Sequence, residues 1–322
     1  MSGLETIATI PMWIGFILFV IVMLVIDMAV LGGRHAHRVS TREALGWSIA
    51  WFALALLFNL LLWWHLDGTA GREVANRIGL EFFSGYLIEK SLSVDNIFVF
   101  LMLFSYFAVP PEFQRRVLLY GVIGAIVMRA IMVLLGAWLI SQFSWILYLF
   151  GAFLLVTGVK MLVFANQKPD LDANPLLRWM RSHIRIADGY HGERFFVLKN
   201  GLRFATPLFL VLVLIEFTDL VFAVDSIPVI FAITSDPFIV FTSNMFAIMG
   251  LRALYFLLAD MADRFHYMKY GLALVLVFIG AKMIAGYWVH LSVGISLAVV
   301  GAILLVSVLL SLRLTAPRQR AG

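Results

Sequence analysis

The chain contains no cysteine, which excludes disulfides, thiolate metal ligands and thiol redox chemistry together. Charge is scarce too: Asp, Glu, Lys and Arg make up 13 % of the residues, against ~25 % in an ordinary soluble domain. No Walker A sequence is present, so ATP hydrolysis within this chain has no support. The seven histidines fall in connections or at the ends of apolar runs, which leaves no mid-run pair to hold haem. What the chain does have is hydrophobicity, at 62 % apolar residues and a mean hydropathy of +0.97. The formal charge of +5 does not point to nucleic acid, because the basic residues lie between apolar runs.

An α-helix needs ~20 apolar residues to cross the hydrocarbon of a bilayer. Nine such runs can be placed, at 12–31, 43–65, 78–105, 115–140, 145–164, 203–232, 238–260, 267–288 and 290–312. The first is too long for a signal-peptide core and lacks a basic flank. The expected fold is therefore all-α, a polytopic membrane protein of about nine transmembrane helices. Alternate connections carry seventeen Lys and Arg, seven of them between Lys168 and Arg203, whereas the opposite side carries only Arg72 and Arg77. The basic side is expected to be cytoplasmic. That puts the N-terminus outside and the C-terminus inside, in the cell inner membrane.

Two of the runs resemble each other. EKSLSVDNI at 89–97 aligns with DLVFAVDSI at 219–227, so an acidic pair six residues apart occurs twice. Arg129-Ala130 matches Arg252-Ala253, and Gly158 to Met161 matches Gly280 to Met283. The reading is an inverted three-plus-three helix repeat, with a site at the midplane where the halves meet. Residues 1–77 hold two N-terminal helices, 78–164 repeat A and 165–202 a cytoplasmic connector. Residues 203–288 form repeat B, inverted, and 289–322 a last helix with a basic tail. In the connector, Asn174-Pro175 begins an amphipathic helix expected to dock on the lipid headgroups.

Glu89, Asp95, Glu216, Asp219 and Asp225 lie deep within the third and sixth runs. A carboxylate at the bilayer centre costs about 2.5–3.5 kcal/mol on insertion scales, so the default reading is a site for something positive. Three bases, Lys90, Arg129 and Arg252, lie near mid-run. Arg129 and Arg252 read first as pairing partners. Five acids against three bases leave a deficit that one divalent cation, two protons or two sodium ions would close. Six residues separate each acidic pair, so convergence of all five requires an opened helix. Pro228 supplies a means, since its missing N–H would free the carbonyl of Val224. Asn96, Ser226 and Asn244 could add oxygens. An all-oxygen site suits Mn²⁺, Mg²⁺ or Ca²⁺ better than copper or zinc. Asp27 and Glu81 fall near run ends, where a solvated helix end is the simpler reading.

The stretches 89–96 and 216–228, with GLRALYFLL at 250–258 and the two Gly-x-Lys-Met segments, resemble the TerC membrane-protein family, most closely its Alx-like branch. The resemblance covers nearly the whole chain. It implies an exporter of Mn²⁺ as transported substrate, with the five acids as transport-site residues and no prosthetic group. Proton exchange is a natural coupling, because protons and cation compete for the same oxygens. Three other readings compete: transport of another hard cation, calcium or proton/sodium; a membrane-protein assembly factor; and an intramembrane aspartyl protease. The protease reading lacks a Gly-x-Gly-Asp context, so no enzymatic activity is expected. The expected partners are the metal ion, protons and the bilayer, and not nucleic acid.

Overall fold

The computed structural model describes residues 6–31, 40–143, 145–163, 171, 174–259, 267–286 and 291–314. The helices are α1 (Ile10–Leu31), α2 (Thr41–Thr69), α3 (Arg72–Tyr106), α4 (Pro111–Gln142), α5 (Ile146–Val163), α6 (Pro175–His183), α7 (Pro207–Phe231), α8 (Pro237–Met249), α9 (Leu251–Ala259), α10 (Met268–Ala285) and α11 (Val293–Leu314). Their ends follow local rules. Ser40 caps α2 by accepting from the Glu43 N–H at 3.2 Å, the arrangement that Ser-x-x-Glu favours. Asp236 caps α8 through the Phe238 N–H at 2.8 Å, with Pro237 at the first helical position.

Eight segments among the described residues are long and apolar enough to cross a membrane, with α8 and α9 together forming one of them. The chain is a multi-pass integral membrane protein. Its outer faces carry Ile14, Leu18, Val25, Leu60, Trp64, Leu134, Trp138 and Leu305, all exposed, as a lipid-facing surface requires and a soluble one would not tolerate. The remaining run anticipated in sequence, α3, spans 35 residues, or about 52 Å at 1.5 Å per residue. It is long enough but too charged to count with the eight.

The α8–α9 segment is the centre of the molecule, with 94 % of its apolar stretch buried against 17–44 % for the others. Around it Phe16 of α1, Phe58 of α2, Phe82 of α3 and Phe246 of α8 form one aromatic cluster, Phe58 and Phe246 having centroids 5.0 Å apart. Close approaches fix the helix directions. Asn96 of α3 reaches Asp219 of α7, while a Cβ on Gly85 would lie 3.4 Å from Ile230. Eleven residues back along α3 correspond to eleven forward along α7, so these two helices run antiparallel. A Cβ on Gly158 of α5 would lie 2.9 Å from the Ala273 carbonyl oxygen of α10. One on Gly280 would lie 2.7 Å from that of Gly151. Here too the helices are antiparallel. α4 packs parallel to α7, with Gly121 at Ile215 and Gly136 at Phe231.

Two expectations are corrected. Span six begins at Pro207, not at 203, because Leu202–Ala205 pairs antiparallel with Phe196–Lys199 as a hairpin, β1 and β2. Asn200 and Gly201 adopt φ of 52° and 75° at its turn, the left-handed pair that a two-residue hairpin needs. The amphipathic helix exists, as α6, with Asn174 accepting from Leu176 and Leu177 N–H at 2.9 and 3.1 Å. Its apolar residues Leu177 and Met180 are buried in a cluster with α3 and α7, so α6 docks on protein rather than on headgroups. Tyr190 anchors the connector by donating to the Phe107 carbonyl at 2.7 Å.

Candidate functional site

Where α3 and α7 cross, flanked by α4 and α8, a guanidinium holds both helices. Arg129 of α4 is 1 % exposed. Its Nη1 donates to Glu89 of α3 in a short charged bond, to Ser226 Oγ of α7 at 3.0 Å and to Asn244 Oδ1 of α8 at 2.7 Å. Its Nη2 lies 3.8 Å from Asp219 Oδ1, which also accepts from Asn96 Nδ2 at 3.3 Å. Four helices thus meet on one side chain. Glu89, Asn96, Asp219, Ser226 and Asn244 are all buried.

The centre is not saturated. Glu89 Oε2 and Asp219 Oδ2 are buried without a hydrogen-bond partner among the described residues, a costly condition for carboxylate oxygens in a low dielectric. Beside Glu89 and Arg129 lies a cavity of about 50 Å³, lined also by Asn96, Met161, Phe222, Asp225 and Ser226. One water occupies ~30 Å³ of liquid, so the space suits one small ion or one to two waters. Glu89 and Asp219 share the guanidinium of Arg129, and Asp225 lines the cavity beside them.

The other sequence candidates fall as follows. Glu216 is half-buried one turn before Asp219, its carboxyl seated against Gly124 of α4, where a Cβ would overlap it. Asp95 lies on α3, but its side chain is outside the described residues. Arg252 of α9 does not join the centre; its Nη1 donates to Asp27 Oδ2 of α1 at 2.7 Å, with both side chains buried. Asp27 is therefore not a solvated helix end, and Glu81 is buried as well. Lys90 turns away from the acids, and its Nζ reaches the Ala247 carbonyl at 3.3 Å. It thereby meets the carbonyl end of α8, where a cation is favoured.

The four acids with described side chains, Glu89, Glu216, Asp219 and Asp225, do not form one cluster in this conformation. Among the described residues no group of three His, Asp or Glu is placed to hold a metal ion. The physical reason is that α7 does not open at Pro228. The helix continues to Phe231 and ends through the Ala232 N–H on the Pro228 carbonyl at 3.0 Å, so the proline sits where a lost bond matters least. The interruption comes instead at Gly250, between α8 and α9. A glycine in mid-span was the available signal for it.

Comparison with known proteins agrees with this architecture. The chain is 56 % identical over 308 residues, 96 % of each chain, to a protein of Salmonella typhi named "Putative membrane-bound redox modulator Alx". It matches the protein of that name from Escherichia coli strain K12 to the same extent. It is 40 % identical over 299 residues, 93 % of this chain and 96 % of the relative, to a membrane protein of Rickettsia bellii. No solved structure matches the chain. The family model described as "Integral membrane protein TerC family" matches residues 74–320, and the chain belongs to that family.

Proposed function

We propose that this protein is a secondary transporter that exports Mn²⁺ across the inner membrane in exchange for protons. The observation that carries the reading is the unsaturated acid–arginine centre at the crossing of α3 and α7, with Asp225 and Glu89 lining a cavity of about 50 Å³. Buried carboxylates with unpartnered oxygens are stable in a membrane only if something positive visits them. Mn²⁺, a hard ion suited to oxygen ligands, can enter from the cavity, and protons arriving on the same oxygens displace it. Glu89, Asp95, Asp219 and Asp225 are the transport acids in this reading, with Glu216 adjoining them. Arg129 is their internal counter-charge, and Asn96, Ser226 and Asn244 are further polar contacts.

An inverted repeat gives the cycle its two states. α3–α5 correspond to α7–α10 in opposite orientation, supported by the antiparallel crossings of α3 with α7 and of α5 with α10. Exchange of Gly158 for Gly280 and of Gly151 for Ala273 carries one α5–α10 contact into the other, as a pseudo-two-fold axis requires. With α3 as the ninth span, the positive-inside rule sets the N-terminus outside and the C-terminus in the cytoplasm. No enzymatic step and no prosthetic group enters the proposal.

The test is flux in proteoliposomes, with Mn²⁺, Mg²⁺ and Ca²⁺ offered in turn to the native chain and to Asp225→Asn. Mn²⁺ movement that responds to an imposed pH gradient and is lost in the variant supports the reading. Selective flux of Ca²⁺ reassigns the substrate, and indifference to the pH gradient removes the proton coupling. Absence of flux for every ion, from folded protein, rejects transport.

A further inference from the structure

The two halves of the molecule treat their equivalent arginines differently. Arg129 and Arg252 occupy matching positions in the sequence repeat, as do Glu89 and Asp219. In the first half the arginine holds its own acid, Arg129 on Glu89. The corresponding bond in the second half, Arg252 to Asp219, is not made. Arg252 is held instead by Asp27 of α1, a helix outside the repeat. Arg252 and Asp219 nevertheless line the same gap, about 10 Å³ between Leu118, Gly121 and Ile215, too small for more than one water. Polar atoms of both residues lack partners among the described residues, Asp219 Oδ2 and Arg252 Nε and Nη2, as does Oδ1 of Asp27, which holds Arg252.

We infer that Asp27 and Arg252 are positioning residues of the transport cycle, and that Arg252 alternates between Asp27 and Asp219. In the conformation described here, Arg129 is engaged with Glu89 and Arg252 is parked on α1. In the opposite conformation the halves exchange arrangements: Arg252 crosses the gap to Asp219, Arg129 leaves Glu89, and the freed Glu89 faces the cavity with Asp225. Arg252 keeps an acid on either side of the gap, Asp27 or Asp219, so its own charge is paired in both conformations. Asp27 sets the resting population by stabilising the parked arginine. The inference rests on the transporter reading for its purpose, but its test does not need flux.

The absence of native cysteine allows paired spin labels at V127C on α4 and L274C on α10, exposed positions in opposite halves. Distances are measured without any cation, in the native background and in Asp27→Asn, Asp27→Glu and Asp27→Asn/Arg252→Gln. Asp27→Asn is expected to raise a second distance population from below ~1 % to ~10 % or more, with Asp27→Glu native-like. The double variant, which has no charge to transfer, is expected to keep the single native population. An unchanged distribution in Asp27→Asn overturns the inference, as does the same shift in the single and double variants. Should Asp27→Asn not fold, the neutral double variant decides: a second distance population in it overturns the exchange. Flux without the population shift rejects this inference and spares the transporter, and the shift without flux does the reverse.

Discussion

Arg129 and Glu89, forty residues apart on α4 and α3, form an ion pair in which each side chain is 1 % exposed. Such a pair gains little over an apolar substitute, yet breaking it strands a charge. Glu89→Ala and Arg129→Ala should each destabilise the protein by about 3–5 kcal/mol, and the double variant by clearly less than their sum. Denaturant unfolding in micelles measures all three. Additive losses would show that the two residues act independently.

Asp225 and Glu216 lie on one helix but in different surroundings. Asp225 lines the cavity, whereas Glu216 packs on Gly124 outside it. Asp225→Asn is expected to lower Mn²⁺ flux by roughly 100-fold, equivalent to about 2.8 kcal/mol at tenfold per 1.4 kcal/mol. Glu216→Gln is expected to cost less than about tenfold. Equal losses would place Glu216 in the same site and require a conformation in which α7 turns.

Gly124 offers a second handle on the same seat. A methyl group there overlaps the Glu216 carboxyl, so Gly124→Ala must displace either that side chain or α7. Gly301 on α11 has nothing within 4 Å of its Cβ position. Gly301→Ala should therefore be neutral or stabilising by about 0.5–1 kcal/mol through helix propensity. Gly124→Ala should lose stability or flux. Paired melting and flux measurements on both variants separate the effect of contact from that of propensity.

Much of this could be read from the residues. The apolar runs gave the helices to within a few positions, because in lipid the backbone must satisfy itself and ~20-residue helices are the main solution. The acids stood out because charge is costly there, and α3 and α7 meet at the Asn96–Asp219 contact. Partner choice was not legible. Lys90 and Arg252 look like counter-ions to the acids in one dimension. Only the break at Gly250 explains why Lys90 serves the end of α8, and only the packing of α1 explains the Asp27–Arg252 pair. The hairpin at 196–205 was hidden because its second strand, Leu202–Ala205, leads directly into the apolar stretch of α7.

The connector supplies the last prediction, since its docking partner distinguishes protein from lipid. Leu177 is fully buried beneath α6, whereas Trp179, two residues on, is 54 % exposed and rests its ring on His183. If α6 is held by protein contacts, Leu177→Ala should cost about 2–5 kcal/mol as a buried truncation. Trp179→Ala should fall within about 0.5 kcal/mol, as exposed substitutions do. A helix held by headgroups reverses that order, because the exposed tryptophan would then be the anchor. Limited proteolysis of the segment between α5 and α7, in detergent and again in liposomes, reads the difference. Accelerated cleavage for Leu177→Ala in both media supports docking on α3 and α7. Acceleration for Trp179→Ala confined to liposomes would return α6 to the membrane surface.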